Sequence, residues 1–360
     1  MLALLADVIE LRDTGASLSS QAQLERIAWI DVAKGLIISL VVLFHTLPPQ
    51  IVADLINPAA CTFFFLSGLT ARDGPVFRIV WKRFRQLMIP YYVMAAVNIA
   101  IWLAAKLAIS HQELVFPVRD VVINVAIVRT AVGTIPLNLI PLWFLPAVFV
   151  MELYFSVFKK IHLLPVAIAA GFAGMFFLPG SLPFKLDVAL STMPFYALGR
   201  VLGSRRELIS FLPFHLTLLS GILYLPLAAA SKEVYLMEDY FGPLPALYIL
   251  ASFSGIVAIS GISQIICKSP VLRDYFTRLG RKTLFILGYH IAAGSLIYPI
   301  FDIFGDPIEL LRRFWYIYWI INMSILYAAI KLLPDPVISL LSGTYRSEEH
   351  TSELQSRQSI

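Results

Sequence analysis

The sequence predicts an all-α, polytopic transmembrane helical bundle of about ten spans with both termini in the cytoplasm. Composition carries the first part of that prediction: 59% of the 360 residues are hydrophobic and only 14% are charged, with a mean hydropathy of +0.79. A soluble domain could not hide so much apolar surface, so most of it faces lipid or packs against lipid-facing helices. Apolar stretches of membrane-crossing length also recur along the chain, and its basic residues collect in short loops. The formal charge of +5 is therefore a topology signal before it is a binding signal, and no nucleic-acid partner is expected. Cys61 and Cys267 lie in apolar surroundings and give neither metal spacing nor a disulfide framework.

Residues 1–26 begin with an apolar run, Met1 to Ile9, followed by Glu10, Arg12 and Asp13. No basic residue precedes the run and no small-residue cleavage site ends it, so these residues are expected to be a cytoplasmic extension. The first span runs from Trp29 to Leu47, closed by Pro48-Pro49, and the second from Ile51 to Thr70. Arg72, Arg78, Lys82, Arg83 and Arg85 follow and mark a cytoplasmic loop. A third span covers Leu87 to Ile109. Residues 120–135 are short and carry Arg129, which favours an interfacial amphipathic helix over a crossing. The fourth span runs from Leu139 to Phe158 and stops at Lys159-Lys160; the others fall at about 161–179, 186–203, 211–230, 243–266, 283–303 and 313–333. Arg205-Arg206 and the group Lys268, Arg273, Arg278, Arg281 and Lys282 then lie inside. Asp239, Asp302, Asp306 and Glu309 lie outside, with Arg312-Arg313 as a local exception. The membrane domain is thus 27–335. A tail over 336–360 is expected to be disordered, and from about Thr344 its Ser, Glu, Gln, His and Arg composition resembles translated adaptor sequence; His350 is assigned no role.

The polar groups of the first span draw attention because ionisable groups in a membrane helix are costly. Ten uncharged residues separate Lys34 from His45, which places the two roughly 16 Å apart along a helix axis. His45, near the outer end, suits removal of a proton from a hydroxyl, and is equally readable as a ring that bonds a neighbouring helix. Lys34 has Asp31 three residues before it as a same-face partner. His290 lies inside the ninth span, where histidines face a bundle interior or a cavity. Glu152, an acid deep in the fourth span, reads as one half of an ion pair with a cation of another helix, or as part of a substrate site. The inner cations suit phosphates, although positive-inside bias and anionic lipid explain most of them. Trp143 opens a helix between two prolines and is a candidate sugar platform, whereas the other aromatics near span ends are belt residues. There is no glycine-rich phosphate loop, metal cluster or serine elbow, since Ser67-Gly68 lacks the elbow's flanking pattern.

Several stretches together resemble the acyltransferase 3 family of membrane proteins, in the group that includes fucose O-acetylase-like enzymes. They are Arg26 through Gly35 to His45, Phe63 to Gly68, Lys82 to Tyr91, Pro141-Leu-Trp143, Tyr196 to Gly199, and Leu279-Gly280 through His290. They occur in family order from about 26 to 335, and Lys34 with His45 matches the family's pattern of a basic residue, a ten-residue gap and a histidine. The resemblance implies an O-acyltransferase of the bacterial inner membrane. It would move an acetyl group from cytoplasmic acetyl-CoA to a hydroxyl of a cell-envelope or exported carbohydrate. It implies a catalytic His45, either as base or as acyl carrier, with Lys34 holding the bundle or the donor. Arg83, Arg85, Arg281 or Lys282 would contact donor phosphates, His290 would line the donor path, and Trp143 and Glu152 would serve the acceptor. A proton-coupled transporter or flippase of a lipid-linked saccharide, using His45, Glu152 and His290 as a proton path, is the alternative, although no inverted halves are visible. A catalytically silent scaffold is a third.

Overall fold

The computed structural model describes residues 20–109, 116–129, 133–177, 180, 182–205, 211–297, 303 and 306–344. Residues 1–19, Arg206, Asp302 and the tail from 345, His350 included, lie outside the described residues. Helix α1 is Ser20–Phe44, α2 Gln50–Ile56 and α3 Cys61–Thr70, the last two joined by a 3-10 turn over Asn57–Ala60. After α4 (Val76–Arg83) the helix widens into a π turn at Phe84–Met88 before α5 (Ile89–Ile109). Pro90 explains the widening: it has no N–H for the Gln86 carbonyl, and the Ile89 N–H reaches back to Phe84 instead. Helix α6 (Val118–Ala126) is too short to cross, as expected, and buries only Val121 and Val125.

A 3-10 segment, Leu137–Trp143, leads into α7 (Phe144–Lys160), followed by α8 (Leu164–Phe177). The expected sixth span is two helices, α9 (Leu186–Ser191) and α10 (Met193–Ser204), broken before Pro194. Helix α11 (Phe214–Ala230), a two-stranded hairpin of β1 (Val234–Tyr235) and β2 (Tyr240–Phe241), and α12 (Pro245–Ile266) come next. Residues read as a loop form α13 (Pro270–Arg281), and α14 is Thr283–Ser295, α15 Pro307–Arg313, α16 Trp315–Leu332 and α17 Asp335–Leu341. Among the described residues, five helical stretches are long and apolar enough to cross a membrane, and α8, α11 and α14 are shorter apolar helices. The outward surface fits that solvent: α11 buries only Thr217 and Ala228, and exposes Leu216, Leu218, Leu219, Ile222, Leu223 and Leu225. Such a face would be anomalous in water.

Two boundaries differ from expectation. Helix α1 already begins at Ser20, inside the stretch read as an extension. The ordered bundle also continues past 335, where a disordered tail was expected, because α17 is tied down: Ile338 is buried, the Leu341 carbonyl accepts from Tyr289 at 2.7 Å, and Asp335 pairs with Lys282.

Charged groups gather at one end of the bundle. Asp31 pairs with Lys34 at 3.8 Å and with Arg281 at 3.3 Å, and Asp73 pairs with Lys159 at 2.8 Å and with Arg200. Backbone contact is closest there between α1 and α13, where a Cβ on Gly35 would lie 2.0 Å from the Phe276 carbonyl oxygen and one on Gly280 1.9 Å from that of Asp31. The opposite end is capped by the hairpin, held by Asn57 Nδ2 donating to the Val234 carbonyl at 2.7 Å and Lys185 Nζ to that of Met237 at 2.9 Å. Asp239 accepts from Ser191 Oγ at 3.1 Å and is buried. Burial, reinforced by the Asp187 charge, pushes its carboxyl up to about 8 against the opposing pull of Ser191 and Lys185.

Candidate active site

Helix α1 ends at Phe44, and His45 is the first residue beyond it. Its ring folds back on the last turn, with Nδ1 2.8 Å from the Val41 carbonyl oxygen. His290 comes from the middle of α14 and is fully buried, its Nδ1 3.1 Å from the carbonyls of both Ile286 and Leu287. The two rings meet: His290 Nε2 lies 3.2 Å from His45 Nδ1, with centroids 4.8 Å apart and planes inclined by 59°.

These contacts assign the protons. A carbonyl only accepts, so Nδ1 of each ring carries a hydrogen. His290 Nε2 is then an unprotonated acceptor, and His45 Nδ1–H points between it and the Val41 carbonyl. The lone pair left over is on His45 Nε2, which has no hydrogen-bond partner among the described residues, while its ring is half-buried. An imidazole with one nitrogen tied back and the other bearing a free lone pair is the form required of a general base.

Neutral amides hold the pair. Asn322 Nδ2, on α16, donates to the His290 carbonyl at 3.0 Å. Asn98 Nδ2, on α5, donates to the Gly288 carbonyl and to that of Met94, each at 2.9 Å, and Asn138 Nδ2 in turn reaches the Asn98 carbonyl at 2.8 Å. Trp319 Nε1 donates to the Ser39 carbonyl at 3.1 Å and so joins α16 to α1. Asn98 and Asn322 are buried, and the Asn322 Oδ1 atom has no partner. The asparagines were not singled out in the sequence, where the available signal was a polar side chain repeated at depth in otherwise apolar spans; Trp319, read there as a belt residue, instead spends its indole N–H on α1.

The other candidates divide between the two ends. Trp143 is half-buried with its ring edge-on to Phe144, 6.0 Å between centroids, in the segment packed on α14. Glu152 is buried far along α7, accepts from Tyr196 Oη and pairs with Arg83 at 3.4 Å, so its carboxylate is engaged within the bundle. Arg281 and Lys34 share Asp31, and Lys282 holds Asp335. Arg85, in the π turn, is exposed and has no ion pair among the described residues. The structure thus brings His45 and His290 into contact and leaves Lys34, Arg83, Arg85, Arg281 and Lys282 at the charged end. No group of three or more metal-ligating side chains occurs among the described residues.

A family model described as an acyltransferase domain, that of the acyltransferase 3 family, matches residues 27–334. No curated protein and no solved structure matches the chain.

Proposed function

The chain belongs to the acyltransferase 3 family, and from that premise we propose that it is an O-acetyltransferase of the bacterial inner membrane, moving an acetyl group from cytoplasmic acetyl-CoA to a hydroxyl of an envelope or exported carbohydrate. The observation that carries this reading is the histidine pair, which leaves His45 Nε2 as a free base at the end of the bundle opposite Lys34, Arg83, Arg85, Arg281 and Lys282. Ten spans with both termini inside is the topology that puts those cations in the cytoplasm.

In this mechanism His45 Nε2 takes the proton of the acceptor hydroxyl as its oxygen attacks the thioester carbonyl. The new C–O bond forms, the C–S bond breaks, and the imidazolium returns its proton to the departing sulfur. His290 is a positioning residue. It accepts from His45 Nδ1–H, and that bond strengthens while His45 is cationic. Lys34 and His45 are roughly 16 Å apart along α1, and the hydrocarbon core is about 30 Å thick, so the donor's extended arm must enter between helices from the charged end. Arg85, without a carboxylate partner among the described residues, is the best placed of the candidate phosphate ligands, and Trp143, on the segment packed against α14, is a candidate wall for the acceptor.

The test is transfer of labelled acetyl from acetyl-CoA to membrane glycans, with mass spectrometry of surface glycans for an added acetyl. His45→Ala should lower transfer by roughly 10²–10⁴-fold, the range of a lost general base. Undiminished transfer, or a donor never consumed by the unaltered protein, rejects the reading.

A further inference from the structure

Beyond His45 the chain passes through Leu47, in the left-handed region at φ 56°, and Pro48-Pro49 into α2. These three residues, with Gln50 and with Arg312 of α15, line an open cleft of about 390 Å³. Such a volume lies near the low end of the roughly 300–1,000 Å³ typical of small-ligand sites, enough for one sugar unit. The cleft wall begins two residues after His45, within about 7 Å of chain.

Arg312 is exposed and, among the described residues, pairs with no carboxylate. Among the described residues, the acids near it in the chain and the one bonded to Gln50 do not pair with it. Asp306 caps α15 by accepting from the Ile308 N–H at 2.8 Å and the Glu309 N–H at 3.4 Å. Buried Asp54 accepts from Gln50 Nε2 at 2.8 Å, which leaves the Gln50 amide oxygen as an acceptor. Glu309, three residues before Arg312, forms no ion pair with it. Arg313 instead lies over the Phe314 ring, 5.6 Å from its centroid. A guanidinium offers parallel N–H donors that match a carboxylate or a phosphate.

We propose that this cleft is the acceptor subsite for a negatively charged sugar, with Arg312 pairing to a carboxylate or phosphate of the acceptor and thereby presenting its hydroxyl to His45. The inference rests on the acyltransferase reading and adds the acceptor's class to it.

The test uses the full-length protein in nanodiscs of zwitterionic lipid. Binding of a labelled hexuronate oligomer, a hexose phosphate and a neutral oligosaccharide is measured without donor, and acetyl transfer to each is measured separately. One anionic probe should bind about tenfold or more tighter than the neutral one, the effect of one charge-assisted contact. Arg312→Gln should erase that preference without altering neutral binding, and Arg312→Lys should restore part of it. Equal binding of all three probes, or a preference that survives Arg312→Gln, overturns the proposal. So does displacement of the anionic probe by soluble glycerophosphoglycerol at the affinity of the probe itself, which assigns the cleft to a lipid headgroup. Arg312-dependent binding without any transfer refutes the acyltransferase reading alone, whereas transfer with charge-blind binding refutes only the subsite.

Discussion

Replacing His290 by leucine removes the acceptor of the His45 Nδ1–H while keeping an apolar side chain of similar volume in a fully buried site. When His45 holds the substrate proton, its bond to His290 Nε2 is charge-assisted, and such bonds are worth about 1.5–3 kcal/mol. That corresponds to a rate factor of roughly 10–150. The Val41 carbonyl, 2.8 Å from the same nitrogen, remains as a second acceptor, so the low end applies and kcat should fall about tenfold. His290→Gln, whose amide oxygen can accept in the same direction, should recover most of the loss. The donor KM should not move in either variant, because among the described residues no cation of the charged end contacts His290. Initial rates of labelled acetyl transfer on membranes, normalised to protein by immunoblot, read both constants. If His290→Leu is as inactive as His45→Ala, then His290 is itself the base or the acyl carrier. If it retains full activity, the pair is packing and the proton assignment loses its meaning for catalysis.

Arg83 and Arg85 should separate into a structural and a donor-binding cation. Arg83→Gln strands buried Glu152 and, because the Arg83 side chain is 23% exposed, should cost about 2 kcal/mol, below the 3–5 kcal/mol of a fully buried pair, seen as a lower melting temperature. Arg85→Gln should raise the donor KM several-fold at unchanged melting temperature and kcat, and an unchanged KM removes Arg85 from the donor site. Asp239 titrates at about 8 in the folded chain and near 3.8 otherwise, so the native state binds the extra proton between those values and stability falls as pH rises through the interval. Asp239→Asn should therefore melt higher than the unaltered protein at pH 9 and level with it near pH 4; a gap that does not widen with pH refutes this. Gly35→Ala would drive a Cβ to 2.0 Å from the Phe276 carbonyl oxygen and should destabilise by roughly 1–3 kcal/mol as α13 is pushed off α1, with a matching loss of activity; unchanged melting would show that the helices separate freely.

The helical membrane architecture was legible because it rests on composition and on run length, both local properties. Residues 120–135 were left out of the span count because Arg129 and the short length were visible in the chain, and the helix that forms there, Val118–Ala126, is too short to cross. Helix α13 was not recognised, since Pro270–Arg281 is strongly charged and its amphipathic pattern was masked by the cations that mark it as a loop. The Asp31–Lys34 pair followed from spacing within one helix, and a cationic partner for Glu152 was expected, but nothing local selects Arg83 from the other cations. His45 and His290 were each noticed alone. Their contact spans 245 positions and depends on how α14 follows the tight crossing of α13 over α1, which no periodicity in either segment encodes. Asn98, Asn138 and Asn322 were missed for the same reason, because each is unremarkable until its partner carbonyl on another helix is known.

The chemistry of the pair also explains its composition. A catalytic histidine in water-soluble enzymes is commonly oriented by a carboxylate, whose charge offsets the imidazolium. Within an apolar bundle that carboxylate would itself need a permanent partner, because burying an unpaired charge costs several kcal/mol. A neutral imidazole holds the tautomer without adding a fixed charge, and among the described residues every group bonded to the two rings is likewise neutral: the carbonyls of Val41, Ile286 and Leu287, with Asn322 on the His290 backbone. Full ion pairs are kept to positions such as Asp31, Asp73 and Asp335, at the charged end. The transient cation on His45 then has no resident anion to quench it. A negative charge on the acceptor, held by Arg312 in the open cleft, would offset that cation in part, weakened by solvent screening and by the guanidinium it pairs with. It would stabilise the imidazolium only while acceptor is bound, and a base whose charged state improves on substrate binding favours transfer over idle protonation.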